Sequence, residues 1–331
     1  MGRPTSVPVA PTRMKAVVQD RYGTPTVLRI AEVDVPVPDE TSVLLRVRAA
    51  SINALDWRLM SGKPFIGRFL GLGVLAPKRK VRGVDVAGEV RAVRKKDSRF
   101  RVGDAVFGLG SGSFAEYTVA DESEIALKPP EVGFEQAATL GIAPVTALQG
   151  LRDKAQVRPG QSVLITSGAS GVGSFAVQIA KWQGAHVTAV TSTPNVELVR
   201  SLGADVVIDY TKERYTERPE RYDAVLDISG MYSLADCWKV VKPGGVFVLV
   251  GTRAGVGRFI RSSLRRKLRR NRIVGFFAKV NPEDLRAIGE LVAQGKVRAV
   301  IDREYPLDDA VRAMTEAYSH HVRGKLVIRV A

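Results

Sequence analysis

The chain has 331 residues, enough for about two domains that each bury a core, so a small stapled module is excluded. With 45% hydrophobic and 25% charged residues it reads as a soluble globular chain, and no apolar run approaches the ~20 residues of a membrane span. Fifty Lys and Arg against 34 Asp and Glu give a formal net charge of +16, which attracts nucleotides, nucleic acid or anionic lipid without choosing among them. Cys237 is the one cysteine, which excludes an internal disulfide and any cysteine-clustered metal site and makes a reducing cytoplasm the expected setting.

Residues 1–13 carry Pro4, Pro8 and Pro11 among small polar residues, with no apolar signal core, and read as a disordered tail. Over 14–140 short β-rich runs follow, at Lys15 to Val18, Ser42 to Ala50, Gly88 to Val93, Ala105 to Phe107 and Phe114 to Val119. The Gly, Pro and Asp between them predict a β-barrel-like domain. From Gly141 to 284 the texture changes. Short apolar strands at Ser162 to Thr166, His186 to Thr191, Val206 to Asp209, Ala224 to Ile228 and Val246 to Gly251 alternate with helical stretches such as Ser174 to Gly184. That alternation predicts an α/β, doubly wound parallel sheet. Val300 to Ala331 returns to short strands around one helix, and Leu326 to Val330 is expected to pair back onto the first domain.

Between the Ser162 strand and the Ser174 helix lies Thr166-Ser167-Gly168-Ala169-Ser170-Gly171-Val172-Gly173. Its glycines permit a tight turn and let backbone N–H groups at a helix N-terminus approach a pyrophosphate. Inside a βαβ unit this reads as a dinucleotide site formed by Gly168, Ala169, Ser170, Gly171, Val172 and Gly173, although Ser170 stands where a middle glycine is usual. At the end of the next strand an NAD-selective site places an acid, and here the chain reads Val190-Thr191-Ser192-Thr193-Pro194-Asn195. Ser192 and Asn195 tolerate or bind a 2′-phosphate that a carboxylate would repel, which favours NADP(H). Ser192 or Thr193 is equally readable as a helix cap.

The order of β-rich domain, Gly-rich turn and return strand resembles the medium-chain dehydrogenase/reductase superfamily, in its zinc-free quinone-oxidoreductase-like branch. The matching segments are Ser51-Ile52-Asn53-Ala54-Leu55-Asp56, Gly83-Val84-Asp85-Val86-Ala87-Gly88, Gly103 to Gly108, Phe114-Ala115-Glu116-Tyr117 and Lys242-Pro243-Gly244-Gly245. The resemblance implies a GroES-like catalytic domain over 14–140 that residues 285–331 rejoin, and a Rossmann NADP-binding domain over 141–284. It also implies that Thr146 lies near the nicotinamide, Tyr210 near the adenosine phosphate, and Gly251 beside the cofactor. Phe277, in the pair after the next strand, is a further cofactor candidate, and core packing is its bland alternative.

Zinc-dependent members hold a cysteine where this chain has Asn53 and a histidine where it has Val84. With both ligands absent, no metal is expected. What the resemblance then implies is hydride transfer to a hydrophobic electrophile, a quinone or an activated carbonyl or enone, with a zinc-free alcohol or enoyl reductase as the alternative. A non-catalytic NADPH-binding protein that contacts RNA or membrane is the alternative of another class. Asn53 is the first candidate to donate a hydrogen bond to a substrate carbonyl, and it is equally readable as a turn residue. Asp56 reads as the residue that orders Asn53 or its loop.

Two basic segments remain. Arg58 to Arg82 holds seven basic residues and no acid, interleaved with apolar ones, and reads either as a lid over the substrate or as a solvated insertion. Arg253 to Arg272 holds nine basic residues and no acid, with Ile260, Leu264 and Leu268 every four residues on an expected helix. That stripe suits packing on the parent protein or on a homodimer partner, and also weak contact with an anionic membrane surface. No aromatic stacking pattern accompanies the cations, so nucleic acid is not expected as a partner.

Overall fold

The computed structural model describes residues 11–63, 73–250, 272–319 and 322–330. It opens on an antiparallel pair, β1 (Arg13–Gln19) and β2 (Leu28–Asp34), with Val17 opposite Ile30. Next come β3 (Ser42–Ser51), α1 (Ala54–Ser61), β4 (Asp85–Val93), β5 (Ala105–Leu109), β6 (Tyr117–Asp121) and β7 (Ile125–Leu127). The strand expected from Phe114 starts three residues later because Phe114 belongs to a different partnership. Its N–H donates to Arg82 O, and its carbonyl accepts from Val17 N–H.

After α2 (Phe134–Ala137), helix α3 (Ile142–Gln149) runs directly into a π-helical turn at Gly150–Ala155. The parallel layer follows: β8 (Ser162–Ile165), α4 (Gly171–Trp182), β9 (His186–Thr191), α5 (Val196–Ser201), β10 (Val206–Asp209), β11 (Tyr222–Asp227), α6 (Leu234–Lys239), β12 (Val241–Val250) and β13 (Arg272–Phe276). These six strands lie in the order β10-β9-β8-β11-β12-β13, all parallel, so the order reverses direction between β8 and β11. In a doubly wound sheet that switch point is where ligands bind. Both faces are covered, so Val163, Leu164 and Ile165 are all buried, as parallel strands require. The helix expected from Ser174 starts earlier, at Gly171, because Ser170 caps it.

Helix α7 (Pro282–Ala293), with Asn281 accepting the Asp284 N–H at its start, leads to β14 (Ile301–Pro306), α8 (Ala310–Tyr318) and β15 (Lys325–Arg329). The chain end returns to the first sheet. β15 pairs antiparallel with β3 and parallel with β14, giving the order β14-β15-β3-β4-β5-β7 with β6 also on β3. Gly324, just before β15, touches the other layer, its N–H donating to Ala169 O at 2.8 Å. A single strand therefore ties the Gly-rich turn to the β-rich sheet.

Gly173 shows how tightly that turn is built, since a Cβ there would fall 2.0 Å from Ser167 O. Gly173→Ala must displace backbone. Overpacking of this kind costs about 1–3 kcal/mol. The urea midpoint of the variant should fall accordingly, and an unchanged midpoint would show that the turn is not packed this closely.

Candidate active site

The Gly-rich turn leaves β8 through Thr166, whose side chain fixes it to the end of β11. The hydroxyl donates to Asp227 Oδ1 at 3.0 Å and accepts the N–H groups of Ile228 and Ser229 at 2.8 and 3.0 Å. Ser167 then takes a positive φ of 56°. A Cβ on Gly168 would stand 3.1 Å from Ala189 Cβ, and Ser170 Oγ accepts the Gly173 N–H at 3.2 Å. Ala169 is buried, and Val172 packs on the core. The result is the positive end of a twelve-residue helix, approached through a turn that has little side chain to block it. These features fit a dinucleotide pyrophosphate.

At the ends of β9 and β10 the polar side chains bond mainly to one another. Thr193 donates to Asp209 Oδ2 at 2.6 Å, and Thr211 donates to Asp209 Oδ1 from both its N–H and its hydroxyl. These bonds, the Thr193 hydroxyl foremost, hold Asp209 down to about 2. Asp209 lies opposite Thr191 in the register, so an acid missing from the end of β9 enters from β10. Thr193 is thus no helix cap, and Ser192 caps nothing either. Its Oγ accepts from Asn195 Nδ2 at 3.1 Å, leaving Asn195 Oδ1 buried without a partner. Tyr210 follows β10 and is exposed, and Arg200 is paired with Glu197.

Across from the turn, Asn53 precedes α1. Asp56 Oδ2 accepts the Asn53 N–H at 2.7 Å in a capping box at the start of α1, and the Asn53 side chain also reaches Lys325. Lys325 Nζ donates to Asn53 Oδ1 at 2.5 Å and to Asp85 Oδ2 at 3.3 Å. Asp85 also accepts the Ser51 hydroxyl at 2.9 Å and the Ile142 N–H at 3.0 Å. Lys325 and Asp85 are 2% and 0% exposed, so this charge pair is excluded from water. Asn53 Nδ2 is buried and has no partner among the described residues. The node therefore presents an unused N–H donor next to a fixed positive charge, which suits an oxygen on which negative charge develops.

Beside the node is a cavity of about 690 Å³ with Leu55, Asp56, Leu59, Arg82, Val84 and Leu109 among its walls. Burial pushes Asp56 up to about 7, against the opposing effect of the Asn53 N–H bond. Its Oδ1 has no partner among the described residues. Burial also lowers Arg82, whose Nε is unpartnered as well.

Thr146 lies inside α3, where its hydroxyl donates back to Ile142 O at 2.7 Å and caps no helix start. Phe276 is buried at the end of β13, whereas Phe277 is 69% exposed and does not pack in the core. Gly251, Phe65, Phe69 and nearly all of the basic stretch Arg253 to Arg272 lie outside the described residues. A zinc ion does not fit the node, because the Asn53 oxygen is already held by an ammonium group and Val84 offers no donor. Lys325 was not singled out from sequence. A lysine opening an apolar strand ordinarily points to solvent.

Two family models match the chain: an alcohol dehydrogenase GroES-like domain over residues 39–130 and a zinc-binding dehydrogenase over residues 202–328. The chain is 37% identical to the 2-methylene-furan-3-one reductase of Solanum lycopersicum, covering 98% of this chain and 81% of that protein. It is 36% identical to a chloroplastic NADPH-dependent alkenal/one oxidoreductase of Arabidopsis thaliana, covering 96% and 80%. Among solved structures, the quinone oxidoreductase from Coxiella burnetii superposes with a TM-score of 0.87 at 32% identity, covering 96% of this chain and 100% of that one.

Asp56 makes a testable contribution to stability. A carboxyl raised in the fold holds its proton there more tightly than in the unfolded chain. Its stabilising contribution is present below about pH 3.8 and is lost as pH rises toward 7. Asp56→Asn, which mimics the neutral acid, should stabilise the protein at pH 8 by roughly 2–4 kcal/mol relative to its effect near pH 4. Parallel pH–stability curves for the two proteins would contradict a buried, neutral Asp56.

Proposed function

Because the chain belongs to the medium-chain dehydrogenase/reductase superfamily, in its zinc-free quinone-oxidoreductase-like branch, we propose that it is an NADPH-dependent reductase of quinones and enones that works without a metal. The observation that carries this reading is the unpartnered Asn53 Nδ2 beside the buried Lys325 ammonium. In this reading residues 14–140 and 285–331 form the catalytic domain, and residues 141–284 hold the cofactor.

The bound nicotinamide supplies a hydride. Gly168, Ala169, Ser170, Gly171, Val172 and Gly173 carry the pyrophosphate on the α4 N-terminus, which also fixes the distance to the Asn53 side through the Gly324 to Ala169 hydrogen bond. Hydride addition at the β-carbon of an enone moves negative charge onto the carbonyl oxygen. Asn53 Nδ2 donates to that oxygen, and a proton from water completes the saturated ketone. Asp56 holds the Asn53 backbone in place, and Leu55, Leu59, Val84 and Leu109 are the apolar part of a cavity whose other walls, with Asp39, Asp121 and Glu124 among them, are polar. Selectivity for NADPH over NADH is supported by Ser192 and Asn195 at the end of β9. Asp209, the acid brought beside the end of β9, is occupied by Thr193 and Thr211.

Removing a single donor to a developing oxyanion costs about 10²–10³-fold in rate. Asn53→Ala should therefore lose about 10²-fold in kcat/KM for trans-3-penten-2-one, followed by NADPH absorbance, and an undiminished rate would overturn the role given to Asn53. In fluorescence titrations NADPH should bind more tightly than NADH, and Ser192→Asp should reverse that order. Equal affinities in the parent protein would remove the basis for choosing NADPH.

A further inference from the structure

Lys325 is held on every side. Its ammonium group meets Asn53 Oδ1 at 2.5 Å and Asp85 Oδ2 at 3.3 Å. Its aliphatic stem lies against the Gly-rich turn, where a Cβ on Gly171 would come within 3.2 Å of Lys325 Cδ. The next residue upstream, Gly324, bonds to Ala169 in the same turn. The partners of Asp85 are also fixed, with Ser51 on one oxygen and Ile142 N–H on the other. The Asp85 carboxylate gives the buried cation a counter-charge, and the Asn53 carbonyl gives it a second acceptor.

An amide side chain can be placed two ways, with oxygen or nitrogen toward a given neighbour. Lysine offers only donors, so Lys325 admits one orientation, with Oδ1 toward the ammonium and Nδ2 turned away from it. A cation on the carbonyl side also draws electron density from the amide and makes its N–H a stronger donor. In a water-excluded site that effect is not screened.

We propose that Lys325 is a positioning residue for the reduction: it sets the orientation of the Asn53 amide and polarises it, so that the buried positive charge acts on the substrate oxygen through Asn53. This rests on the reading of Asn53 given above. It assigns to a lysine on the last strand the electrostatic task that a cation bound directly to the oxygen performs in metal-dependent carbonyl chemistry. The alternative is that Lys325 only ties the last strand to the Gly-rich turn.

A double-mutant cycle on the full chain separates the two. Steady-state rates with trans-3-penten-2-one are measured for the parent, Lys325→Met, Asn53→Ala and the double variant, with NADPH affinity read by fluorescence. Lys325→Met should lower kcat by about 10–10²-fold, with the KM for the enone changed less than about threefold. Adding Lys325→Met to Asn53→Ala should cost less than about threefold more, because the route through Asn53 is already gone. Lys325→Gln still donates to Asn53 but carries no charge, so it should fall between parent and Met, and it carries the comparison if Lys325→Met does not fold. Losses that multiply in the double variant, or a Lys325→Met defect confined to NADPH affinity, would overturn the proposal. A parent protein that does not reduce the enone would instead refute the proposed function itself. An active parent whose Asn53→Ala and Lys325→Met losses multiply would refute only the role of Lys325.

Discussion

A positive charge shut away from water sets the terms for this molecule. An ammonium group at 2% exposure must find counter-charge and acceptors inside the protein, and removing one partner of such a buried pair costs about 3–5 kcal/mol. Asp85 at the start of β4 and Asn53 at the start of α1 answer it. Both are brought there by β3, which pairs with β4 along one edge and with β15 along the other. The last strand therefore has one admissible register. With Val327 opposite Ser51, Lys325 reaches the node and Gly324 reaches the Gly-rich turn. Closing the β-rich sheet and joining it to the parallel layer are thus consequences of the same strand.

Around the Gly-rich turn Thr166 and Asp227 lock the strand ends, and Ser170 takes a helix N–H. On the β-rich side Asn53 Nδ2, Asp56 Oδ1 and Arg82 Nε lie buried in one neighbourhood with no partner among the described residues. Buried polar groups without partners cost stability, so such a cluster is expected where a ligand completes the bonding. In the proposed reading the Gly-rich turn is the cradle for the cofactor, and Asn53 is the group that meets the reacting molecule.

Sequence reading reached the architecture because its signals are local. Strand runs such as Ser162 to Thr166 are continuously apolar only when both faces are covered, and the Gly168 to Gly173 turn places glycine where a Cβ would strike backbone. Asn53 was reachable because it occupies a position within a recognisable segment. Lys325 was not, since lysine is ordinarily exposed and its burial depends on pairing between residues 272 positions apart. Asp209 was missed as a neighbour of Thr193 for a related reason. The acid is absent from the end of β9 and arrives only when β10 is laid beside it in register. The start of α4 was placed late because glycine is a poor helix former, and the Ser170 cap outweighed that propensity.

The central claim is that hydride reaches the β-carbon of a conjugated ketone while Asn53 holds the carbonyl oxygen. Its most direct measurement uses NADPH carrying deuterium at the transferable C4 position, trans-3-penten-2-one as acceptor, and NMR of the product. The account predicts 2-pentanone with deuterium on the former β-carbon. Deuterium on the carbinol carbon of an allylic alcohol, formerly the carbonyl carbon, or no transfer at all, would contradict it.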